Sequence, residues 1–341
     1  MLPEPIQQID RTWAIWRGQT LAYFAGCDYF RMASHPAVLG AAREALDKYG
    51  LNVGASRYTT GNHILYDQLE SALKEFFEVG SATILANGFL TNMAVIAGLV
   101  GEFEEIVIDE RAHPSLVQAA VSVPFPVWTF CHRDVESFRG IVGQRKRPLV
   151  LTDRVFAHDG SVAPLEEYEK ALQADCWMIV DDSHGAGVLD FPKGLRQRVV
   201  RTMTLSKAFG SFGGAVLGSE LVGRRLEQSS ILRGSTPFPL PNAAAALASV
   251  KLLKDVELRE RLRGNFFRAT GRPGDVPIYS REPKDSEKFA NALLKRGIFP
   301  SRIRYPGGPE GGYFRFAISS EHTRAQLDAL AGALEATRVF V

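Results

Sequence analysis

The stretch RTMTLSKAFGSFGGAVLGS, residues 201–219, sets two apolar runs of strand length on either side of a lysine and a cluster of glycines. RTMTLSK (201–207) alternates, carries β-branched residues and delivers Lys207 at its end, between the small residues Ser206 and Ala208. Gly210, Gly213 and Gly214 follow, and GAVLGS (214–219) is apolar again. A surface ammonium needs no such setting, whereas a buried one is costly unless it loses its proton or forms a bond.

Outward from this stretch the chain alternates further strand-length runs with helical patterns. The runs are ATILAN (82–87), EIVIDE (105–110), PLVLTD (148–153) and CWMIVDD (176–182), and several end in a polar residue. SHPAVLGAAREALDKYG reads as a helix with Ser34 at its N-cap, Pro36 in its first turn and Gly50 as its stop. YDQLESALKEFF places Leu69, Leu73 and Phe76 on one helix face. The pattern predicts an α/β fold, a mostly parallel central sheet flanked by helices, with ligands outside the carboxyl ends of the strands.

After about residue 240 the texture changes. PNAAAALASVKLLKDVELRERLRGNFFR reads as one long helix or two, RPGDVPIYSREPKD as a turn-rich stretch, and SEKFANALLKRG as a helix closed by Gly297. YFRFAIS (313–319) alternates as a strand, and the last helix, HTRAQLDALAGALEATRVF, has Thr323 and Gln326 at capping-box spacing. The expected organisation is a segment 1–50 packing with the small domain, a large domain over 51–245 and a smaller α+β domain over 246–341.

Composition narrows the class. The chain has 341 residues, 45% hydrophobic and 23% charged, with a formal net charge of +2, so it can bury a large core and shows no basic excess pointing to nucleic acid or membrane. No apolar run approaches the ~20 residues of a membrane span. MLPEPIQQIDRTW lacks the apolar core of a secretory signal, and Cys27, Cys131 and Cys176 are too few and too scattered for a disulfide framework or a zinc knuckle. These features predict a cytosolic enzyme without a metal.

The chemistry follows from Lys207. It is either a surface lysine that follows a strand or an amine nucleophile that forms a Schiff base with a carbonyl. Pyridoxal 5'-phosphate is the cofactor that asks for such an amine, and it makes further demands. Its ring nitrogen needs a carboxylate, which Asp181 offers at the end of MIVDD, with His184 three residues on for the ring hydroxyl. The other reading of Asp181 and Asp182 is a helix N-cap or part of a metal site, and the metal reading lacks a second cluster with ligand spacing. Its phosphate needs backbone donors at a helix N-terminus, and LANGFLTNMAVIAGL supplies a strand, Asn87 and Gly88, then an apolar helix. Thr204 and Ser206 add hydroxyls. His113 in DERAHPSLVQAA begins a helix just beyond a strand, where it either stacks on the ring or caps the helix. Arg315 alternates with Phe314 and Phe316, so it is either a fork for a substrate carboxylate or an exposed strand arginine.

Taken together, GASRYTTGNHILYDQLE (54–70), VDDSHGAGVLD (180–190) and TLSKAFGSFGG (204–214) resemble, in this order, the α-oxoamine synthase family of pyridoxal phosphate enzymes of the aspartate aminotransferase fold type, fold type I. Its members include 8-amino-7-oxononanoate synthase of biotin biosynthesis, glycine C-acetyltransferase, 5-aminolevulinate synthase and serine palmitoyltransferase. The resemblance runs from about residue 34 to the last helix. It implies that Lys207 forms the Schiff base, Asp181 pairs with the pyridinium, His184 bonds the ring hydroxyl and His113 stacks on the ring. It implies further that Gly88 and Phe89 hold the phosphate, with Thr204 adding a hydroxyl and Thr236 of RGSTPFPLP reaching the phosphate in the neighbouring subunit. Arg315 takes the amino-acid carboxylate, and a homodimer with shared sites follows. The implied activity is condensation of a small amino acid with an acyl-CoA thioester. An aminotransferase or another pyridoxal phosphate enzyme of the same fold is the alternative, and a non-catalytic partner subunit is a third reading. The chain departs from the family pattern at several places. Ala157 stands where a serine is usual, Asp153 and Arg154 where a glutamate and a glycine are common, Cys27 and FRM (30–32) in the segment before residue 34, and Tyr66 where a histidine usually stands.

Overall fold

Alternate residues of a strand point to opposite faces of its sheet, so a run that is apolar at every position becomes a strand only where both faces are covered. The computed structural model, which describes residues 3–8, 11–304, 309 and 311–337, follows that rule. The chain divides into two units, one of Pro36–Phe156 and Ser161–Lys254, the other of Met1–His35, Ala157–Gly160 and Asp255–Val341.

The second of these units begins with an antiparallel sheet of β1 (Gln7–Gln8), β2 (Trp13–Trp16) and β3 (Gln19–Ala22). The first unit contains a seven-stranded sheet of β4 (Ser81–Leu85), β5 (Glu105–Asp109), β6 (Val127–Phe130), β7 (Pro148–Asp153), β8 (Trp177–Asp181), β9 (Val199–Thr204) and β10 (Gly214–Gly218). Its order is β4-β10-β9-β8-β7-β5-β6, and only β10 runs against its neighbours. Ile106, Ile108, Leu149, Leu151, Trp177 and Ile179 pack on one face with the helices Gly88–Leu99 and Pro114–Val121. Val107, Val150, Met178 and Val180 pack on the other face with Phe138 and Tyr168.

The other unit also contains β11 (Ile278–Arg281), β12 (Arg302–Ile303) and β13 (Tyr313–Ala317), antiparallel in the order β11-β13-β12. Phe314 and Phe316 of β13 are fully buried with Phe24, Phe289 and Leu330, while Arg315 between them leaves that core. Thr323 and Gln326 form the capping box of the helix Arg324–Ala336, and residues 338–340, placed in that helix by the sequence, lie outside the described residues.

Several local expectations are corrected. The strand before Lys207 ends at Thr204, and the residues beyond it close a turn, with the Ser211 N–H on Leu205 O and the Gly210 N–H on Lys207 O, both at 2.9 Å. The first long helix starts at Pro36 rather than on a Ser34 cap, since Ser34 closes a short 3-10 turn, Met32–Ser34. Of the one long helix or two expected after residue 240, the structure has two, Leu240–Leu252 and Val256–Thr270, the second capped by Asp255 accepting from the Glu257 N–H. The turn-rich stretch 272–285 contains β11, whose four residues pair with β13. Among the described residues no helix is long and apolar enough to cross a membrane, and no three His, Cys, Asp or Glu side chains gather as metal ligands would.

Candidate active site

Register builds the site before any side chain is considered. Asp153, Asp181 and Thr202 are successive partners across β7, β8 and β9, at or near the strands' carboxyl ends. Continuing the rows of Leu149 and Leu151 and of Trp177 and Ile179, the two aspartates face the helices Gly88–Leu99 and Pro114–Val121. The next residues in sequence face the opposite way. There Asp182 is buried between two guanidiniums, with Arg201 Nε at 2.5 Å and Arg154 Nη1 at 3.4 Å. Phe191 covers both guanidiniums, at 5.1 Å from Arg154 and 4.7 Å from Arg201. The residue pairs Asp153-Arg154, Asp181-Asp182 and Arg201-Thr202 are thus split by alternation into one set for the site and one set that locks the sheet beneath it.

The site is a cleft of about 360 Å³ in the larger unit, within the range of small-molecule pockets. Lys207, His113, Asp181, His184, Gly88, Phe89 and Thr204 all line it. Lys207 sits in the turn after β9, which is closed by Gly210 N–H to Lys207 O at 2.9 Å and Ser211 N–H to Leu205 O at 2.9 Å. Two glycines, one in this segment and one opening the helix Gly88–Leu99, are there for space. A methyl group at Gly213, whose φ is +114°, would stand 2.5 Å from Phe238 Cε1, and one at Gly88 would stand 2.6 Å from Thr204 Cβ. Tyr66 holds Phe238 from behind by donating its hydroxyl to Phe238 O at 2.7 Å.

The Gly88 contact seats the N-terminus of the helix Gly88–Leu99 against the end of β9. Asn87 caps this helix by accepting the Leu90 N–H at 3.0 Å. The first N–H groups, those of Gly88 and Phe89, have no partner within the helix and belong to residues that line the cleft. Thr204 and Ser206 hydroxyls lie 2.8 Å apart beside them.

The Asp181 carboxylate is held at both oxygens. Ser183 N–H donates to Oδ1 at 3.0 Å, and Asn92 Nδ2 donates to Oδ2 at 2.9 Å. The same turn, with Gly185 and Ala186 N–H groups on Asp182 O, brings His184 to the cleft wall. His113 is the N-cap of the helix Pro114–Val121, its Nδ1 accepting the Ser115 N–H at 3.2 Å, so it caps a helix and lines the cleft at once. Burial holds its imidazole below the usual histidine range, helped by the Lys207 charge and opposed by Asp181. Its backbone N–H donates to Asp153 Oδ2 at 2.7 Å. Burial, and then repulsion from Asp181, raise the Asp153 carboxyl well above the ordinary aspartate range.

Two candidate residues stand apart from this group. Thr236 is exposed, on the loop between the helices Ser230–Gly234 and Leu240–Leu252, and does not line the cleft. Arg315 belongs to the other unit, where Nη1 donates to Ala157 O at 3.0 Å and Nη2 lies 3.7 Å from Cys27 Sγ. The sequence reading passed over Ser115, Asn92 and Thr202 as site residues. An asparagine inside the otherwise apolar helix GFLTNMAVIAGL was a visible signal, because a buried amide must find partners.

These features fit pyridoxal phosphate: a helix N-terminus with an adjoining hydroxyl for phosphate, a carboxylate for a protonated ring nitrogen, a planar imidazole and an amine converge on one cleft. Residues 27–334 match the family described as aminotransferase class I and II. The 8-amino-7-oxononanoate synthase of Beijerinckia indica is 33% identical over 94% of this chain and 89% of its own length. That of Methylorubrum extorquens is 34% identical over 93% of this chain and 86% of its own. Among solved structures, serine palmitoyltransferase from S. paucimobilis with bound PLP-myriocin aldimine aligns at a TM-score of 0.88 and 25% identity, covering 98% of this chain and 93% of that one.

Proposed function

We propose, since the chain belongs to the aminotransferase class I and II family, that it is a pyridoxal phosphate-dependent C-acyltransferase with the fold type I architecture. It condenses a small amino acid with an acyl thioester of coenzyme A, as an 8-amino-7-oxononanoate synthase or glycine C-acetyltransferase does. The observation that carries this reading is the single cleft in which an amine, a fixed carboxylate, a buried imidazole and a helix N-terminus converge.

Each cleft residue has a task that its position supports. Gly88 and Phe89 N–H groups and the Thr204 hydroxyl hold the phosphate. Asp181 keeps a proton on the ring nitrogen, His184 donates to the ring hydroxyl, and the His113 imidazole covers the ring face. Lys207 Nζ would hold the cofactor's aldehyde group and would be the base that takes the substrate's α-proton. Pyridoxal phosphate, when bound, supplies a protonated pyridine ring that takes up the electron pair left at the α-carbon. Arg315 receives the substrate carboxylate through its planar fork. The α-carbon attacks the thioester carbonyl, a C–C bond forms as the C–S bond breaks, and the thiol departs with a proton.

The active assembly is a cytosolic homodimer. Thr236, exposed and away from its own chain's cleft, is available to a phosphate in the neighbouring copy. Light scattering after gel filtration tests this, and a monomer with full activity would remove it.

The reaction is tested by mixing the pyridoxal phosphate-loaded protein with glycine, alanine or serine and acyl-CoA thioesters of increasing chain length. Thiol release that requires the amino acid is the expected result. If release never depends on the amino acid, while a keto acid converts the cofactor to its amine form, the chain is an aminotransferase instead.

A further inference from the structure

Behind the cleft runs a chain of hydrogen bonds in which every proton has one direction. Thr202 Oγ1 donates to Asn92 Oδ1 at 2.6 Å, which fixes the amide with its NH2 group toward the cleft. Asn92 Nδ2 then donates to Asp181 Oδ2 at 2.9 Å and to Ser115 Oγ at 2.9 Å. Ser115 Oγ lies 2.7 Å from His113 Nδ1 and 3.4 Å from Asp181 Oδ2. The Ser115 backbone N–H can only donate, so the Nδ1 it meets at 3.2 Å is an acceptor, and the serine proton goes to that nearer nitrogen. The imidazole therefore carries its proton on Nε2. Asn92 and Thr202 are fully buried and do not line the cleft, so neither has water as a substitute partner.

We propose that Asn92, oriented by the Thr202 hydroxyl, is a positioning residue that fixes the Asp181 carboxylate and, through Ser115, the His113 ring in one arrangement for the cofactor. This rests on the reading of Asp181 as the partner of the cofactor's ring nitrogen. Two features separate the arrangement from ordinary core satisfaction. One amide serves two groups that must meet the same planar ring from different sides, its edge and its face. In addition, the orienting hydroxyl comes from the strand that leads to Lys207, so β9 sets carboxylate, imidazole and amine together.

The test uses isosteric changes and the apo-protein as well as the holoenzyme. Thr202→Val removes only the hydroxyl that orients the amide, and Thr202→Ser restores it. Asn92→Leu removes the donors to Asp181 and Ser115. The measurements are the dissociation constant of pyridoxal phosphate, the ratio of the cofactor's long- to short-wavelength absorbance bands, and the melting temperature of the apo-protein.

Asn92→Leu is expected to weaken cofactor binding roughly 10–100-fold, the loss of a charge-assisted hydrogen bond at a buried carboxylate, and to change the band ratio. Thr202→Val is expected to move both quantities in the same direction, and Thr202→Ser to return them to within about 3-fold of the parent, as a retained hydroxyl requires. Cofactor affinity and band ratio unchanged in Asn92→Leu and Thr202→Val, with Asp181→Asn still abolishing binding, overturn the positioning role alone. Equal losses in Thr202→Val and Thr202→Ser also overturn it, since the hydroxyl would then be irrelevant. Should Asp181→Asn bind the cofactor as the parent does, the role of Asp181 fails and this inference with it.

Discussion

Asp153 and Asp181 are register partners on adjacent parallel strands, both at the carboxyl end and both facing the helices that carry Asn92 and Ser115. Two carboxyl groups side by side in a buried site do not both ionise easily. Asp181 has donors at both oxygens, whereas Asp153 accepts the His113 N–H and is pushed well up by burial and by its neighbour. The two aspartates thus divide into a fixed carboxylate and a carboxyl inclined to keep its proton.

That division has a consequence for pH. A carboxyl whose folded-state pKa is raised costs stability as pH climbs from its unfolded value, near ~4, through its folded value. Asp153→Asn should therefore raise the melting temperature of the apo-protein more at pH 8 than at pH 5, while leaving cofactor affinity nearly intact. Asp181→Asn should instead weaken cofactor binding by ~100-fold or more, because it removes the carboxylate proposed to face the ring nitrogen. Melting curves at the two pH values and cofactor titrations check both. An equal gain of Asp153→Asn at both pH values would contradict the assignment.

Gly88 gives a test specific to phosphate. A methyl group there would meet Thr204 Cβ at 2.6 Å, forcing the helix N-terminus away from β9. Gly88→Ala should weaken binding of pyridoxal phosphate by ~10-fold or more, while binding of pyridoxal, which has no phosphate, changes by less than ~3-fold. Equal losses for the two ligands would mean that the cradle serves another part of the cofactor.

Arg315 should reveal itself in substrate affinity. A lysine keeps the charge and loses the bidentate fork. Arg315→Lys is expected to raise KM for the amino acid ~10-fold with kcat and cofactor affinity little changed, and Arg315→Ala to raise it further. Steady-state kinetics with the acyl thioester held saturating distinguishes this from a loss of thioester binding, which would appear in the other KM.

His322 predicts an acid-labile fold for the unit that holds β13. It is buried against Phe24 with ring centroids 4.0 Å apart, accepts the Ser319 N–H at 2.9 Å and lies 3.1 Å from Tyr23 O through Nε2. Burial, reinforced by the Arg31 charge, pushes its pKa down to about 3. A depressed histidine contributes stability that is present above its unfolded pKa and lost as pH falls toward the folded one. Between pH 7 and pH 5 this loss is about 2 kcal/mol, taking an unfolded value near ~6.5. His322→Gln should flatten the decline in melting temperature over that interval, at the cost of lower stability at pH 7. A parallel decline in both proteins would rule the effect out.

The strands that build the larger sheet were legible because their apolar runs are continuous and end in polar residues: MIVDD gave β8 and Asp181, and PLVLTD gave β7. The edge strand β6 was not, since VWTF is only four residues long, follows Pro124 and Pro126, and leaves three of its residues exposed. β11 was hidden among prolines and glycines, because four residues form a strand there only when β13 is beside them. Thr204, rather than Lys207, ends β9 because the following residues close a turn, Ser211 N–H on Leu205 O and Gly210 N–H on Lys207 O, which the alternating pattern of RTMTLSK does not announce.

For the site, sequence alone determined which chemical groups are present and in what order: a lysine among glycines, an aspartate at a strand end with a histidine three residues later, a glycine opening an apolar helix. Those are local facts, set by backbone freedom and by side-chain period. Tertiary structure decided which groups touch. Asp181, Thr202, the amide of Asn92 and the hydroxyl of Ser115 come from four separated segments, and only strand register and helix packing bring their polar atoms within 3 Å. Hydrogen bonding falls off over tenths of an ångström, a scale that residue order does not encode.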